Sequence, residues 1–556
     1  MTPSHQPTRS LRRRLVTGLL AAQLAFSALL TPALAQAQVP SQVQPQLRLP
    51  ALGESASDDL SVANEKRMGD SIMREARRDP QYLDDPVLLA YLQQLWRPLV
   101  AAAKARGDIN AETENAFAWE AFLVRDRSVN AFALPGGYVG IHLGLMALTS
   151  TSDQLASVMA HELSHVTQRH IARSIAPQQR ASIVAIASLL LGIIAASRSN
   201  NVDVANAAIM GGQGAAIQAQ LNFSRDMERE ADRNGFGILL QAGYSPTGMA
   251  AMFEKMDVAM RLNDNGGFPY LRTHPLTTDR ITEARNRALL DGRSAPAPTL
   301  LHAVMQARAR VLMDDSAQAM ARLSGGTSSP LLSDRVGALY GGALAASLLR
   351  DHDRAARMAD EALQDARSAS PRDADAERAI VLLQAQVALE RGAPSAAMQA
   401  LDGLALRNDR PTLLLRAQAA LALDRLSPGT QATALRDSTE ALQTWVAEHP
   451  QDPLAWGDLA ATSGALGLKL RTMRARAEAQ LGLGDLQGAI DRMRAAQAAS
   501  RGATGPDFIE ASVIDARLRQ MVSQRRLLQL EARESRGGRG GPDRPEGSED
   551  PDRPPR

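Results

Sequence analysis

The chain contains no cysteine in its 556 residues. That excludes a disulfide framework and any thiolate metal site, and it leaves no residue to carry a lipid behind a signal sequence. Aromatic residues are scarce as well, 3% against 45% hydrophobic residues overall. The cores must therefore be built from Ala, Leu, Val and Met, which suits packed helices. Long apolar runs are also lacking. The longest internal one, residues 181–196, has about 16 residues where a span needs roughly 20. It reads as a buried or lid helix, with peripheral membrane contact as the alternative. The formal charge is close to balance, 62 basic against 60 acidic residues.

The first 35 residues change that balance. Arg9, Arg12, Arg13 and Arg14 precede a mostly apolar stretch at 15–30, and Ala33-Leu34-Ala35 follows. This is the pattern of a secretory signal peptide cut near Ala35, with Ala37 as the near alternative. Removing its four Arg leaves 58 basic against 60 acidic residues. A nucleic-acid role loses its main support. An exported, cysteine-free, helix-rich chain fits a bacterial periplasm.

What the chain does carry is His161-Glu162-Leu163-Ser164-His165 inside a helical pattern. Four residues turn a helix by about 400°, so His161 and His165 share one face. Two imidazoles so placed can grip one metal ion, with Glu162 beside them as a candidate general base. With nine His in the chain, a chance match of this kind is expected on the order of 0.01 times. A catalytic zinc site needs a third protein ligand. His170 lies nine residues after His161, about 900° of helix, hence on the opposite face if the helix continues to about residue 174. Gln168 and Ile171 stand where a metzincin would have Gly and His. A carboxylate from another helix is the usual alternative. Glu228 is the best candidate, because Asp232 four residues later shares its face, although acidic helix faces are common. Glu230 is about 200° round the helix and is expected to face elsewhere.

Around this motif the chain is predicted as follows. Residues 36–61 are a loose lead-in. Helices are expected near 65–78, 85–103, 153–174, 221–243, 246–262 and 278–290. Strands are expected at 117–124, 129–134 and 138–142, the last two around the turn Pro135-Gly136-Gly137. Residues 292–298 read as a linker. From 299 to 533 the composition becomes Ala-, Leu- and Arg-rich. Small residues recur at Ala355, Ala362, Ala397, Ala489 and Ala496 in tetratricopeptide-like settings, irregularly spaced. A generic helical bundle is the alternative there. Residues 534–556 are a Gly-, Pro- and charge-rich tail, expected to be disordered.

Four motifs then occur in order: Asn130-Ala131-Phe132-Ala133-Leu134-Pro135-Gly136-Gly137, His161-Glu162-Leu163-Ser164-His165, Ser224-Arg225 with Glu228, Glu230-Ala231-Asp232-Arg233, and His274-Pro275 followed by Arg280. This order resembles the zinc peptidases related to the CAAX prenyl protease and the heat-shock membrane protease. The resemblance covers about residues 60–290. It implies a mainly α fold: a gluzincin-type metallopeptidase domain of helices plus a small β-sheet at 62–291, followed by a tetratricopeptide-like solenoid at 299–533. It implies one Zn²⁺ per chain on His161, His165 and Glu228, with Glu162 as catalytic base. Asp232 would be a second catalytic acid, or would orient one of the two His. His274 would be a regulatory fourth ligand, or simply a loop His capping the next helix. Residues Asn130, Ala131, Phe132 and Ala133 would form a strand that pairs with extended substrate, or plain sheet.

The expected activity is that of an exported zinc metalloendopeptidase acting on unfolded or misassembled outer-membrane proteins. Its repeats would dock substrate or the outer-membrane β-barrel assembly machinery. A periplasmic chaperone-like scaffold with a largely latent metal site is the alternative.

Overall fold

A computed structural model describes residues 60–174, 224–262, 269–294, 297–325, 329–406, 408–429 and 432–537. The expected signal peptide, nearly all of the lead-in and the apolar run 181–196 lie outside these residues. So does the tail, apart from its first residues: the last helix, Pro506–Gly537, runs past the expected end at 533.

The peptidase half begins with α1, Val62–Ala76, whose N-terminus is capped by Ser61. β1, Tyr82–Leu83, is too short to be read from sequence. α2, Pro86–Arg106, starts with Asp85 accepting from the Leu88 amide and ends at Gly107 with φ 81°. A short α3, Ala111–Ala116, leads into β2, Glu120–Val124. β3, Ala131–Leu134, and β4, Tyr138–His142, form a hairpin. Its turn needs φ 77° at Gly136 and 90° at Gly137, which only glycine adopts without strain. β4 pairs in parallel with β2, giving the order β1-β2-β4-β3 with β3 at an edge.

α4, Leu143–Leu148, turns the chain into α5, Ser152–Thr167, capped by Thr151. Every residue from Asp153 to Val166 is buried, so α5 is the central element. It ends where Arg169 takes φ 51°; a separate α6, His170–Ser174, follows. The expected continuous helix to 174 is therefore broken. Arg169 holds this uncommon conformation while its Nε donates to buried Glu65 at 2.8 Å. α7, Arg225–Gln241, and α8, Thr247–Leu262, pack on α5. The one-turn α9, Tyr270–Thr273, and α10, Thr278–Asp291, complete this half.

Twelve further helices run from Leu300–Leu312 to Pro506–Gly537. Ala355, Ala362, Ala397, Ala489 and Ala496, the small residues singled out above, are all 0% exposed, as close helix pairing requires. The architecture is mainly α with one small sheet.

The described helices on either side of residues 292–298 pack into one core. One apolar core runs from Val62 through Met305 and Tyr340 to Val387. Polar contacts cross the same junction. Arg308 clamps Asp85 with two bonds of 2.7 Å and donates to Tyr340 Oη at 2.9 Å. Arg410 binds Asp84 at 2.6 and 2.7 Å and Asp452 at 2.7 and 2.9 Å. His302 Nδ1 meets Tyr91 Oη at 2.7 Å. The described residues form one compact unit.

Candidate metal centre

α5 and α7 approach closely because Gly235 faces His161. A Cβ there would lie 3.1 Å from Ala160 O and from His161 N and Cα. This contact turns the Glu228 and Asp232 face of α7 toward the two His of α5. His161 Nε2 and His165 Nε2 stand 3.0 Å apart. Glu228 Oε2 is 3.5 Å from His161 Nε2, and its Oε1 is 3.4 Å from His165 Nε2. The loop after α9 adds His274, whose Nδ1 is 2.9 Å from Glu228 Oε1 and 3.4 Å from His161 Nε2.

These four buried side chains offer donor atoms within 4.8 Å of one another. A tetrahedral ion with metal–ligand bonds of about 2.0–2.1 Å has donor–donor edges of about 3.3–3.4 Å, so the spacing fits one metal ion. Chemistry agrees with geometry. Glu162 is 0% exposed, and neither of its carboxyl oxygens accepts a hydrogen bond among the described residues. A buried carboxylate in that condition calls for a positive or proton-bearing partner. Burial would raise the pKa of Glu228, but His274, His161 and His165 outweigh it and hold the carboxylate well below its ordinary range. Burial would discharge His161, yet Asp232 and Glu228 pull its pKa up to about 10 in the metal-free protein, so a metal ion must displace a proton from this ring as it binds. At His165 burial wins, and the ring is held neutral, as a metal-binding imidazole must be.

The surroundings fix these groups. Asp232 Oδ1 lies 2.9 Å from His161 Nδ1, on the side of the ring away from the cluster. Asp232 is itself held by Arg280, with bonds of 2.6 and 2.8 Å. Burial opposes its charge, but Arg280 and His161 bring its pKa down to about 2. Arg280 also reaches Glu228 Oε2 at 2.8 Å. Asp232 thus orients a His rather than offering a donor to the cluster.

One sequence expectation changes here and another holds. His170 offers no donor to the cluster, but it is not on a remote face: the break at Arg169 brings its Nδ1 to 2.8 Å from His165 Nδ1. Burial lowers its pKa to about 4. Glu230 does face away from the four donors, and there it meets His170 Nε2 at 3.2 Å. Sequence reasoning gave Arg280 no role beyond its place in a motif; its fixed distance after His274 was the available signal.

β3 lies beside α5. Asn130 and Ala131 are buried, whereas Phe132 and Ala133 are half-buried on the edge strand. Asn130 O accepts from the His142 amide at 3.1 Å. No described helix is long and apolar enough to cross a membrane.

Comparison with known proteins gives the lineage. Residues 90–288 match the model of peptidase family M48, a stretch that contains His161, Glu162, His165, Glu228, Asp232 and His274. The beta-barrel assembly-enhancing protease of Yersinia pestis is 30% identical over 510 residues, 90% of this chain and 97% of the relative. The chain belongs to peptidase family M48, with the beta-barrel assembly-enhancing proteases. The Escherichia coli K12 protein of that name is 37% identical over 240 residues, 43% of this chain. That alignment spans about half of the relative, 47%. The mitochondrial metalloendopeptidase OMA1 of Schizosaccharomyces pombe is 29% identical over 230 residues, 40% of this chain and 61% of the relative. This M48 chain is a metal-dependent endopeptidase by family, and the His and Glu cluster is where its metal fits.

Proposed function

We propose that the chain is an exported zinc metalloendopeptidase of the periplasm that cleaves unfolded or misassembled outer-membrane proteins. The observation that carries this is the buried set His161, His165, Glu228 and His274 beside the hydrogen-bond-free carboxylate of Glu162. Three imidazoles and one carboxylate in tetrahedral spacing suit zinc better than calcium or magnesium, which prefer oxygen. When bound, zinc supplies Lewis acidity toward the scissile carbonyl and the attacking water. Glu162 takes the proton of that water and delivers it to the leaving amine. Asp232 and Arg280 hold His161 in place. The edge strand β3, with Asn130, Ala131, Phe132 and Ala133, offers backbone groups to an extended substrate and so sets its register.

His274 serves as a fourth protein donor that fills the position a water or substrate needs, and so keeps the enzyme latent until its loop moves. The helical repeats dock substrate or the outer-membrane β-barrel assembly machinery, in keeping with the names of the relatives. The N-terminal segment directs export.

Metal content and casein cleavage, measured on the full chain and on Glu162→Gln, test the reading. We expect about one zinc per chain in both, and activity lower by about 10²–10⁴-fold in the variant. Equal activity in the two proteins would leave only the chaperone-like scaffold with a silent metal site.

A further inference from the structure

A metal-binding imidazole keeps its aim through the ring nitrogen that faces away from the metal, usually by donating to a carboxylate or carbonyl oxygen. At His161 that nitrogen, Nδ1, faces the carboxylate of Asp232 at 2.9 Å. At His165 the described contact is to nitrogen: its Nδ1 faces another imidazole nitrogen, His170 Nδ1, at 2.8 Å. His170 Nε2 in turn lies 3.2 Å from Glu230 Oε2, and Arg173 Nη1 lies 3.0 Å from the same oxygen.

With the Nε2 lone pair of His165 kept for the metal and both rings neutral, one assignment of protons satisfies these contacts. His165 presents the Nε2 lone pair to the donor cluster and donates Nδ1–H to His170 Nδ1. His170 then donates Nε2–H to Glu230, whose negative charge is held by Arg173. Each ring is neutral and each has a single tautomer. Reversing His170 alone would set its Nδ1–H against that of His165 at 2.8 Å and its bare Nε2 against the Glu230 carboxylate at 3.2 Å.

We propose that His170 and Glu230 are positioning residues for the metal ligand His165, acting as a two-step relay in place of a direct carboxylate. The backbone is built for it. α5 stops at Thr167, Arg169 turns left-handed, and the turn swings His170 back over His165. Glu65 of α1 holds that turn through Arg169 Nε. His170 itself is 0% exposed.

The inference rests on the metallopeptidase reading, and its test separates the two. Zinc affinity of the full chain is measured by competition with a chromogenic chelator, with thermal melting of the metal-free protein alongside. Loss of such outer partners weakens metal binding by about 10–100-fold. That loss is expected for His170→Phe, which fills the space but can neither accept nor donate. His170→Gln, whose amide can do both, should recover most of the affinity. Glu230→Ala, at a position whose side chain is 29% exposed, should fold and should weaken binding by several-fold. Wild-type affinity in folded His170→Phe or in Glu230→Ala would overturn the relay, as would His170→Gln binding no better than His170→Phe. Failure of the wild-type chain to bind zinc at all would instead overturn the metallopeptidase reading.

Discussion

His274 Nε2 stands 3.6 Å from Glu162 Oε1. The ring that turns Nδ1 to the donor cluster thus presents its other nitrogen to the proposed general base. One side chain stands beside both the other three donors and the carboxylate proposed to handle protons.

His274→Ala should therefore raise casein cleavage. A hydrogen bond to a charged group, such as that between His274 and Glu228, is worth about 1.5–3 kcal/mol. An equilibrium held shut by one such contact opens by roughly ten- to a hundredfold when it is lost. Zinc content should stay near one per chain, because His161, His165 and Glu228 remain. Unchanged or lower cleavage in a zinc-loaded variant would count against the latch.

Arg280 is the cation that balances Asp232 and Glu228. Arg280→Met should lower the stability of the metal-free protein by about 3–5 kcal/mol, the usual cost of leaving a buried carboxylate without its partner. Added zinc should restore part of the loss, since a dication supplies the missing charge. Thermal melts of the variant with and without zinc read this directly. A melting point as high as the wild type's without metal would deny Arg280 that role.

Asp85 and Arg308 make a pH-dependent contribution. Burial would raise the Asp85 pKa, but Arg308 outweighs it and the native value is lowered. The stability it supplies is full above the unfolded-state pKa of about 3.9 and is lost as pH falls through the lower native value. Arg308→Met should cost about 3–5 kcal/mol at pH 7. Urea titrations should show the gap to wild type narrowing as the pH falls, first as Asp85 protonates in the variant, where Arg308 no longer opposes burial, and further below about pH 4 as it protonates in the wild type. A gap that is constant through that range would contradict the assignment.

Gly235 tests how closely α5 and α7 must pack. In an unconstrained helix, Gly→Ala gains about 1 kcal/mol. Here the added methyl meets backbone atoms of Ala160 and His161 at 3.1 Å, and those atoms cannot swing aside. Overpacking of this kind costs about 1–3 kcal/mol. Gly235→Ala should thus be destabilising and should weaken zinc binding, by displacing Glu228 from the two His. A stabilised variant with intact affinity would refute the argument.

Much of the site was legible because its signals are local. His161 and His165 are one helical turn apart, Glu228 and Asp232 likewise, and Pro135-Gly136-Gly137 can hardly be anything but a turn. Thr151 caps α5 within three residues of chain. What could not be read depends on distant partners. Nothing near Arg169 breaks a helix by composition; the turn there is held by Glu65, 104 residues earlier in the chain. β1 has two residues, and only its pairing with β2 makes it a strand. Gly292 does end α10 in a left-handed cap, so a linker was a fair expectation at that point. The core that passes across the linker was invisible, because Arg308 and Arg410 look like ordinary surface charges until Asp85 and Asp84 are set against them.

That shared core has a mechanical consequence. A repeat domain on a free tether samples many positions, and its effective concentration at the active site falls with linker length. Here the helices from Leu300 to Glu390 share the peptidase's apolar core, so these two parts should unfold as one cooperative block rather than as two beads. The distance from any point on those helices to His161 is then a constant of the molecule. A polypeptide gripped there would be measured as well as held, and where it is cut would depend on how much slack chain it brings to the metal.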